Sequence, residues 1–200
     1  MMSATAITYN RGMSRWEPDA RGRLERAAME LFVERGFEQA TVTEIARRAG
    51  LTQRTFFRYF ADKREVLFAG SGALQEFMVS AVASAPDDAA PIDAVAAALE
   101  GAAGLLEERR EYSRRRMAII AANPELQERE LIKLARLAGA IADALRERGV
   151  PDPAAGLAAE AGTTVFRIGI DRWHAEGTPR PLVDVIQDSL DDLKAVAAGK

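Results

Sequence analysis

The chain has 200 residues and no cysteine, which excludes disulfides, thiolate metal sites and cysteine nucleophiles. Its net charge of −3 conceals an asymmetry, because residues 1–70 carry twelve Lys and Arg against nine Asp and Glu, whereas residues 71–200 carry fifteen against twenty-one. The N-terminus has no leader-like apolar run, and no stretch approaches the roughly 18 apolar residues of a membrane span, so we expect a cytoplasmic protein without a membrane partner.

Residues 1–19 lack periodicity and are expected to form a flexible arm, whereas apolar residues recur at helical spacing through the rest of the chain. The sequence therefore predicts an all-α protein of about nine helices. In chain order these helices span about 24–36, 41–50, 52–59, 62–83, 92–106, 110–122, 124–149, 151–176 and 182–193. Capping boxes at Thr41–Glu44 and Asp62–Glu65 begin the second and fourth helices. We expect a helix-turn-helix domain over 20–65 and a helical bundle for ligand binding and dimerisation over 66–200.

Two short helices joined by Gly50-Leu51-Thr52 have the spacing of a helix-turn-helix. The second of them begins with polar residues that can read base edges in a major groove. Gln53 suits adenine, Arg54 suits guanine, and Thr55 can hydrogen-bond a base or contact a thymine methyl. A helix-turn-helix shape also occurs in proteins that never bind DNA, so the shape alone leaves a purely structural role open.

The remainder of the third helix is aromatic. The helical phase places Phe56 and Phe60, four residues apart, on one inward face. Arg58 and Tyr59 can then reach out to phosphates, or Arg58 can be an ordinary solvated charge. Lys63 lies in the first turn of the next helix, beside amide groups that favour an anion.

Residues 22–68 resemble, without gaps, the DNA-binding domain of the tetracycline-repressor (TetR) family. The segments that carry the resemblance are Ala27-Ala28-Met29-Glu30-Leu31-Phe32, Gly36-Phe37, Thr41-Val42-Thr43-Glu44-Ile45-Ala46, Ala49-Gly50-Leu51-Thr52 and Thr55-Phe56-Phe57-Arg58-Tyr59-Phe60-Ala61-Asp62-Lys63. The resemblance implies a dimer that binds an inverted-repeat operator and releases it when a small-molecule effector enters the C-terminal domain. It implies no cofactor and no metal.

The same resemblance assigns contacts by position. Phosphate contacts fall on Thr41, Thr52, Tyr59 and Lys63, and base contacts fall on Thr43, Gln53, Arg54 and Thr55. Many members have tyrosine where this chain has Phe57, whose ring can pack on a sugar or a thymine methyl but cannot hydrogen-bond a phosphate. Arg47 and Arg48 end the second helix and can add phosphate contacts.

The C-terminal bundle must hold the effector if the resemblance is right, since such pockets are mostly apolar. Candidate lining residues are Phe77, Met78, Leu105, Met117, Ile120, Leu134, Leu137 and Phe166. Apolar residues at helical spacing are more often plain core, and that interpretation stays open for each of them. The resemblance also implies that the last two helices pair with those of the partner across a two-fold axis. The predicted interface residues are Val165, Ile168, Trp173, Val185, Ile186 and Leu190, with Trp173 an alternative core anchor.

Five arginines lie within eight residues at Arg109-Arg110 and Arg114-Arg115-Arg116. One interpretation is a solvated face that is partly ion-paired with nearby glutamates. The other is an anionic ligand, such as an acyl-coenzyme A, held through Arg116. Residues 114–149, with Asn123-Pro124-Glu125-Leu126 and the later Asp171-Arg172-Trp173, resemble an actinobacterial subgroup of mycofactocin-associated regulators, some of which respond to long-chain acyl-coenzyme A.

The sequence leaves two alternatives to a ligand-responsive repressor, an enzyme and a sensor that does not bind DNA. The chain has few residues suited to catalysis, with one histidine, no cysteine and no glycine-rich phosphate loop, so we expect no enzyme activity. Asp87-Asp88 and Asp191-Asp192 have no metal-ligand spacing with His174. The second rival is a small-molecule sensor or interaction protein of the same fold without operator binding, and Phe57 is the only feature that favours it.

Overall fold

The computed structural model describes residues 19–175 and 180–199, and these residues form ten α-helices without a strand, which confirms the all-α prediction. The helices are α1 (Ala20–Arg35), α2 (Val42–Arg48), α3 (Gln53–Tyr59), α4 (Lys63–Leu67), α5 (Ser71–Ala83), α6 (Pro91–Glu107), α7 (Arg110–Ala121), α8 (Pro124–Glu147), α9 (Asp152–Ala175) and α10 (Leu182–Ala197). The predicted arm lies outside the described residues except for Asp19, as does most of the predicted break before α10.

The single long helix predicted over 62–83 is two helices, and this accounts for the tenth. The chain turns at Phe68, whose backbone leaves the helical region at φ −107° and ψ 12°. Ser71 then donates from its backbone N–H (3.0 Å) and its hydroxyl (2.8 Å) to the carbonyl of Phe68. Phe68 is buried, so the apolar pattern continues unbroken through the turn and conceals it.

The buried apolar residues form two clusters. The N-terminal cluster joins α1–α4 to the α7–α8 corner, where Ile119, Ile120 and Leu126 pack against the helix-turn-helix. The bundle cluster joins α5, α6, α8, α9 and α10. Residues 66–68 belong to the N-terminal cluster, so the boundary predicted after residue 65 falls inside α4 and separates these residues from the cluster in which they pack.

Helix α6 lies at the centre of the bundle and contacts α5, α9 and α10. Five of its seven buried residues are alanine, which allows neighbouring helices to approach closely. The closest approach is to α9 at Gly162, where an added Cβ would lie 2.3 Å from Val95 Cγ1. Within the described ranges, no helix combines the length and apolar composition needed to cross a membrane.

Candidate nucleic-acid interface

The start of α2 is fixed by the predicted capping box. Thr41 Oγ1 accepts from the backbone N–H of Glu44 at 3.2 Å, and Glu44 Oε2 accepts from the N–H of Thr41 at 3.0 Å. The hydrogen bond from the Thr41 hydroxyl is the main reason that the pKa of Glu44 lies below its ordinary value. Thr43 and Arg47 lie one turn apart on the exposed face of this helix.

The turn between α2 and α3 depends on Gly50, which has φ +67°. Its neighbour Leu51 donates to the carbonyl of Ala46 at 2.8 Å, and Arg23 of α1 donates to the carbonyl of Ala49. A Cβ at Gly50 would lie 2.7 Å from Arg23 Nη2. The glycine therefore supplies both the left-handed turn and the room for an arginine that ties the turn to α1.

The buried face of α3 is aromatic, as predicted. Phe56 and Phe60 are both buried in the N-terminal cluster, with ring centroids 5.4 Å apart. Thr52 caps the helix by accepting from the N–H of Thr55 at 3.1 Å, and the two hydroxyls lie 2.9 Å apart. The polar residues that follow the cap are thereby presented away from the core.

The outer face of α3 carries most of the predicted DNA contacts. Gln53, Arg54, Phe57, Arg58 and Tyr59 are all exposed. Arg58 lies 4.9 Å from the centre of the Tyr59 ring and donates to its hydroxyl at 3.1 Å. Among the described residues Arg54 has no acidic partner, so its guanidinium is available to a ligand.

The other cations of this unit differ in what they contact. Arg47 is exposed and forms no ion pair in the described part of the chain, although its charge adds, after the Thr41 hydrogen bonds, to the lowering of the Glu44 pKa. Arg48 instead makes a two-pronged contact with Glu34, at 2.8 Å for each pair of atoms, and a longer one with Glu30 at 3.4 Å. The hydrogen bond with Glu34 is the main cause of the raised pKa of Arg48. Arg48 therefore fastens α2 to α1, and a phosphate would have to compete with two carboxylates for it.

Lys63 is engaged by the protein itself. Its ammonium donates to the carbonyls of Phe37 (2.9 Å), Glu38 (3.0 Å) and Ala40 (3.3 Å), and it lies 4.4 Å from the centre of the Phe37 ring. An ammonium has three protons, and all three point at carbonyl oxygens here. The geometry supports a structural role that ties α4 to the loop after α1, rather than the predicted phosphate contact.

Lys63→Ala should therefore lower the free energy of unfolding by about 2 kcal/mol, because three carbonyls lose a charged donor. Urea denaturation measures this change. Arg47→Ala is the control, and we expect it to alter stability by less than about 0.5 kcal/mol because the side chain is exposed and unpaired. A Lys63→Ala protein of unchanged stability that bound all DNA sequences more weakly would restore the phosphate role.

Sequence reasoning missed the contact between the DNA-binding unit and the bundle. On α8, Arg129 donates to Glu65 of α4 at 2.8 Å, and Lys133 Nζ lies 3.6 Å from the same carboxylate. Arg116 of α7 donates to the carbonyl of Leu67 at 2.6 Å and lies over the Phe68 ring at 5.1 Å. These partners are 48 to 68 residues apart in the chain, so no local pattern could have indicated them.

The predicted ligand residues do not form one group. Met78, Leu137 and Phe166 are buried in the bundle cluster, and the half-buried Phe77 and Met117 pack against it. Leu134 is half-buried on α8.

Two of these predictions need correction. Ile120 packs in the N-terminal cluster, because the α7–α8 corner folds against the DNA-binding unit. Leu105 is 53% exposed near the end of α6, so it lines no interior pocket.

The arginine cluster is divided among separate partners. Arg114 and Arg115 both pair with Glu111, at 3.0 Å and 2.7 Å, which lowers the pKa of that carboxyl. Arg110 donates to the carbonyl of Trp173 at 2.9 Å. Arg116 donates to Glu130 through its two terminal nitrogens, Nη2 at 2.6 Å and Nη1 at 3.2 Å. This arrangement supports the ion-paired interpretation and leaves Arg116 without a vacant donor face for an anionic ligand.

Most of the predicted dimer residues also need correction. The following five are buried within a single chain: Val165, Trp173, Val185, Ile186 and Leu190. They pack between α9, α10 and the rest of the bundle, so a partner subunit could not contact them. Ile168 is half-buried and remains accessible. Periodicity identified the apolar faces of the last two helices correctly but assigned them to the wrong neighbour.

Two surface clefts lie outside the predicted ligand residues. One, of about 630 Å³, lies beside α9 and α10 and is lined by Arg172 and three aspartates of α10. The other, of about 300 Å³, lies where the two halves meet and is lined by residues including Tyr59, Phe68 and Lys133. Neither cleft contains a residue predicted to bind the effector.

Comparison with known protein families gives two matches. Residues 25–69 match the model described as bacterial regulatory proteins, tetR family. Residues 89–198, more than half of the chain, match the model described as MftR C-terminal domain. The two resemblances inferred from the sequence are thereby confirmed.

Individual proteins are similar over parts of the chain. The HTH-type transcriptional regulator TcmR of Streptomyces glaucescens is 37% identical over 84 residues, which cover 42% of this chain and 37% of TcmR. MftR of Mycobacterium tuberculosis, named for transcriptional regulation of mycofactocin biosynthesis, is 35% identical over 101 residues, which cover 50% of each chain. The matched segments thus span half or less of these relatives.

A solved structure extends the likeness over most of the chain. The TetR-family repressor FadR of Thermus thermophilus, in complex with lauroyl-CoA, is 29% identical with a TM-score of 0.51, and the match covers 87% of this chain and 93% of FadR. The chain therefore belongs to the TetR family of bacterial regulatory proteins, whose members are transcriptional regulators rather than enzymes, and its C-terminal part is an MftR C-terminal domain.

Proposed function

We propose that this protein is a dimeric transcriptional repressor that binds an inverted-repeat operator and releases it when a small molecule binds the bundle. The observation that carries the proposal is the distribution of cations over the helix-turn-helix. Among the described residues, Arg47 and Arg54 form no ion pair with a carboxylate, and Arg58 hydrogen-bonds to Tyr59. Unpaired cations on an exposed helix-turn-helix face are what a phosphate backbone and a guanine edge require.

The two exposed helix faces supply different kinds of contact. Gln53 and Arg54 lie in the first turn of α3, the end that enters a major groove in this motif. Thr43 and Arg47 lie on α2, which crosses the phosphate backbone when α3 occupies the groove. Arg54 therefore provides base discrimination, and Arg47 provides attraction that does not depend on sequence.

The dimer interface lies on the outer face of α9 and does not include the five predicted interface residues that are buried within one chain. Leu157, Ala161, Thr164 and Ile168 follow one another at four-, three- and four-residue spacing, so they share one helix face. Leu157 is 73% exposed, and the other three are half-buried or exposed. Near the end of α10, Val196 is equally exposed. The same face on a second copy would cover this apolar surface in an isologous interface.

The effector is a hydrophobic or anionic compound, for which an acyl-coenzyme A is the leading example. Support comes from the lauroyl-CoA bound to the Thermus thermophilus repressor. In this chain Phe77 and Met117 are half-buried at the edge of the bundle cluster, and Met117 also packs against the N-terminal cluster. A ligand that displaced Met117 would act on both halves and favour a state in which α4 has moved. The separation between the two recognition helices of the dimer would then no longer equal one helical turn of DNA.

The operator proposal is tested with duplexes that the wild-type protein selects from a randomised pool. Arg54→Ala should lose about 1–3 kcal/mol of discrimination at one base pair of each half-site. Arg47→Ala is the matched control, because it should weaken binding to all sequences alike and reduce the salt dependence. Both are measured by titration at several salt concentrations. A dimeric protein that shows no preferred duplex at low salt would favour a sensor without operator binding.

The effector proposal is tested separately by thermal denaturation. Lauroyl-CoA in excess over its dissociation constant should raise the unfolding temperature, because it binds only the folded state. The same ligand should release the selected duplex. Stabilisation by uncharged hydrophobic drugs, but not by acyl-coenzyme A esters, would overturn the anionic part of the proposal.

A further inference from the structure

Phe57 is an apolar side chain on a face that is otherwise polar. Its ring is 51% exposed, although the neighbouring Phe56 and Phe60 are buried. The ring meets Phe56 edge-on, with centroids 5.5 Å apart and planes at 85°. This contact with a core residue limits the orientations that the exposed ring can adopt.

The position of Phe57 on α3 places it beside the base-reading residues. It follows Gln53 by four residues and Arg54 by three, so all three share one helix face. Side chains on a helix lean toward its N-terminus, so the ring covers the turn that carries Gln53 and Arg54. The C-terminal flank is occupied by Arg58 and Tyr59, which contact each other.

The chemistry of the ring limits what it can recognise. A phenyl group cannot donate or accept a hydrogen bond, so it has no polar contact to offer a phosphate oxygen or a base edge. The major-groove edges of the four base pairs carry one apolar group, the C5-methyl of thymine. A sugar is the other apolar partner on DNA, but it is the same at every base pair, so a contact with it would not discriminate between sequences.

We propose that Phe57 is a specificity-determining residue, which reads the methyl group of a thymine next to the base contacted by Gln53 or Arg54. This inference rests on the proposed operator binding. Covering one methyl group is expected to change affinity about fourfold in each half-site, and about fifteenfold when both half-sites are altered.

The experiment removes single methyl groups from the DNA. Each thymine of the duplex selected by the wild-type protein is replaced by deoxyuridine, in both half-sites together, and affinity is measured by titration. At one thymine position, this replacement should lower the affinity of the wild-type protein about fifteenfold. Phe57→Ala should bind the thymine duplex more weakly and should no longer distinguish it from the deoxyuridine duplex at that position. Arg54→Ala is the matched control, and it should retain the methyl preference.

A second variant separates the methyl contact from an effect on folding. Phe57→Tyr keeps the ring, so it should keep the methyl preference, and circular dichroism should show that both Phe57 variants retain helix content. A preferred duplex without a Phe57-dependent deoxyuridine penalty would overturn the inference while leaving the proposed function intact. The absence of any preferred duplex would overturn both together.

Discussion

Trp173→Ala should lower the free energy of unfolding by about 3–5 kcal/mol, the largest effect that we expect from a single substitution. The indole is fully buried in the bundle cluster, and its Nε1 donates to the carbonyl of Arg180 at 3.1 Å. The guanidinium of Arg110 lies 4.8 Å from the centre of the ring. Truncation would remove this packing and both polar contacts, leaving a cavity between α9 and the start of α7.

Denaturation at a series of protein concentrations distinguishes a core residue from an interface residue. A core substitution lowers stability at every concentration, whereas an interface substitution acts through association and loses its effect when the protein is dilute. Leu157→Ala is the matched control on the same helix. We expect it to change protomer stability by less than about 0.5 kcal/mol and to raise the dimer dissociation constant instead. If Trp173→Ala altered only the dissociation constant, Trp173 would be an interface residue after all.

Arg116→Ala should lower the free energy of unfolding by about 2–3 kcal/mol. Its ion pair with Glu130 is mostly withdrawn from solvent, with 19% and 20% of the two side chains exposed. Removing one partner of a buried pair leaves the other charge uncompensated, at a cost of about 3–5 kcal/mol, and the residual exposure reduces that cost. The variant also removes the donor to Leu67 and the cation over the Phe68 ring.

The neighbouring arginines provide the control. Arg114 is 61% exposed and pairs with Glu111 three residues before it, so Arg114→Ala should cost less than about 0.5 kcal/mol. A double-mutant cycle of Arg116→Ala with Glu130→Gln, followed by urea denaturation, isolates the energy of the pair. An Arg116→Ala protein of normal stability that bound lauroyl-CoA more weakly would instead support the ligand role that the sequence predicts.

Local patterns sufficed for the helix-turn-helix prediction because the interactions on which it rested are short in sequence. The capping box at Thr41, the glycine turn at Gly50 and the four-residue spacing of Phe56 and Phe60 each involve neighbours within a few residues. Such patterns determine local conformation directly. The break at Phe68 was missed because Phe68 is buried, so the apolar pattern continues through the turn and does not mark it.

The bundle was harder to interpret because periodicity shows that a helix face is buried but not which element covers it. Trp173 and Ile186 were predicted to lie on apolar helix faces that pair with a partner subunit, yet both are already buried in the bundle cluster of a single chain. Arg116 illustrates the corresponding problem for charges. The sequence of an arginine cluster is the same whether its partners are glutamates or phosphates. The partner of Arg116, Glu130, lies fourteen residues away, so the local sequence does not identify it.

The packing of the α7–α8 corner has a consequence for how this protein can be divided. Ile119, Ile120 and Leu126 complete the apolar core of the helix-turn-helix, although they follow it in the chain by more than fifty residues. A fragment cut after residue 65 would lack these side chains and also Val66, Leu67 and Phe68, so its core would be open to water on one side. The helix-turn-helix unit is thus continuous in sequence, but the α7–α8 corner supplies part of its core. The shortest N-terminal fragment that retains all of its core residues extends through Leu126.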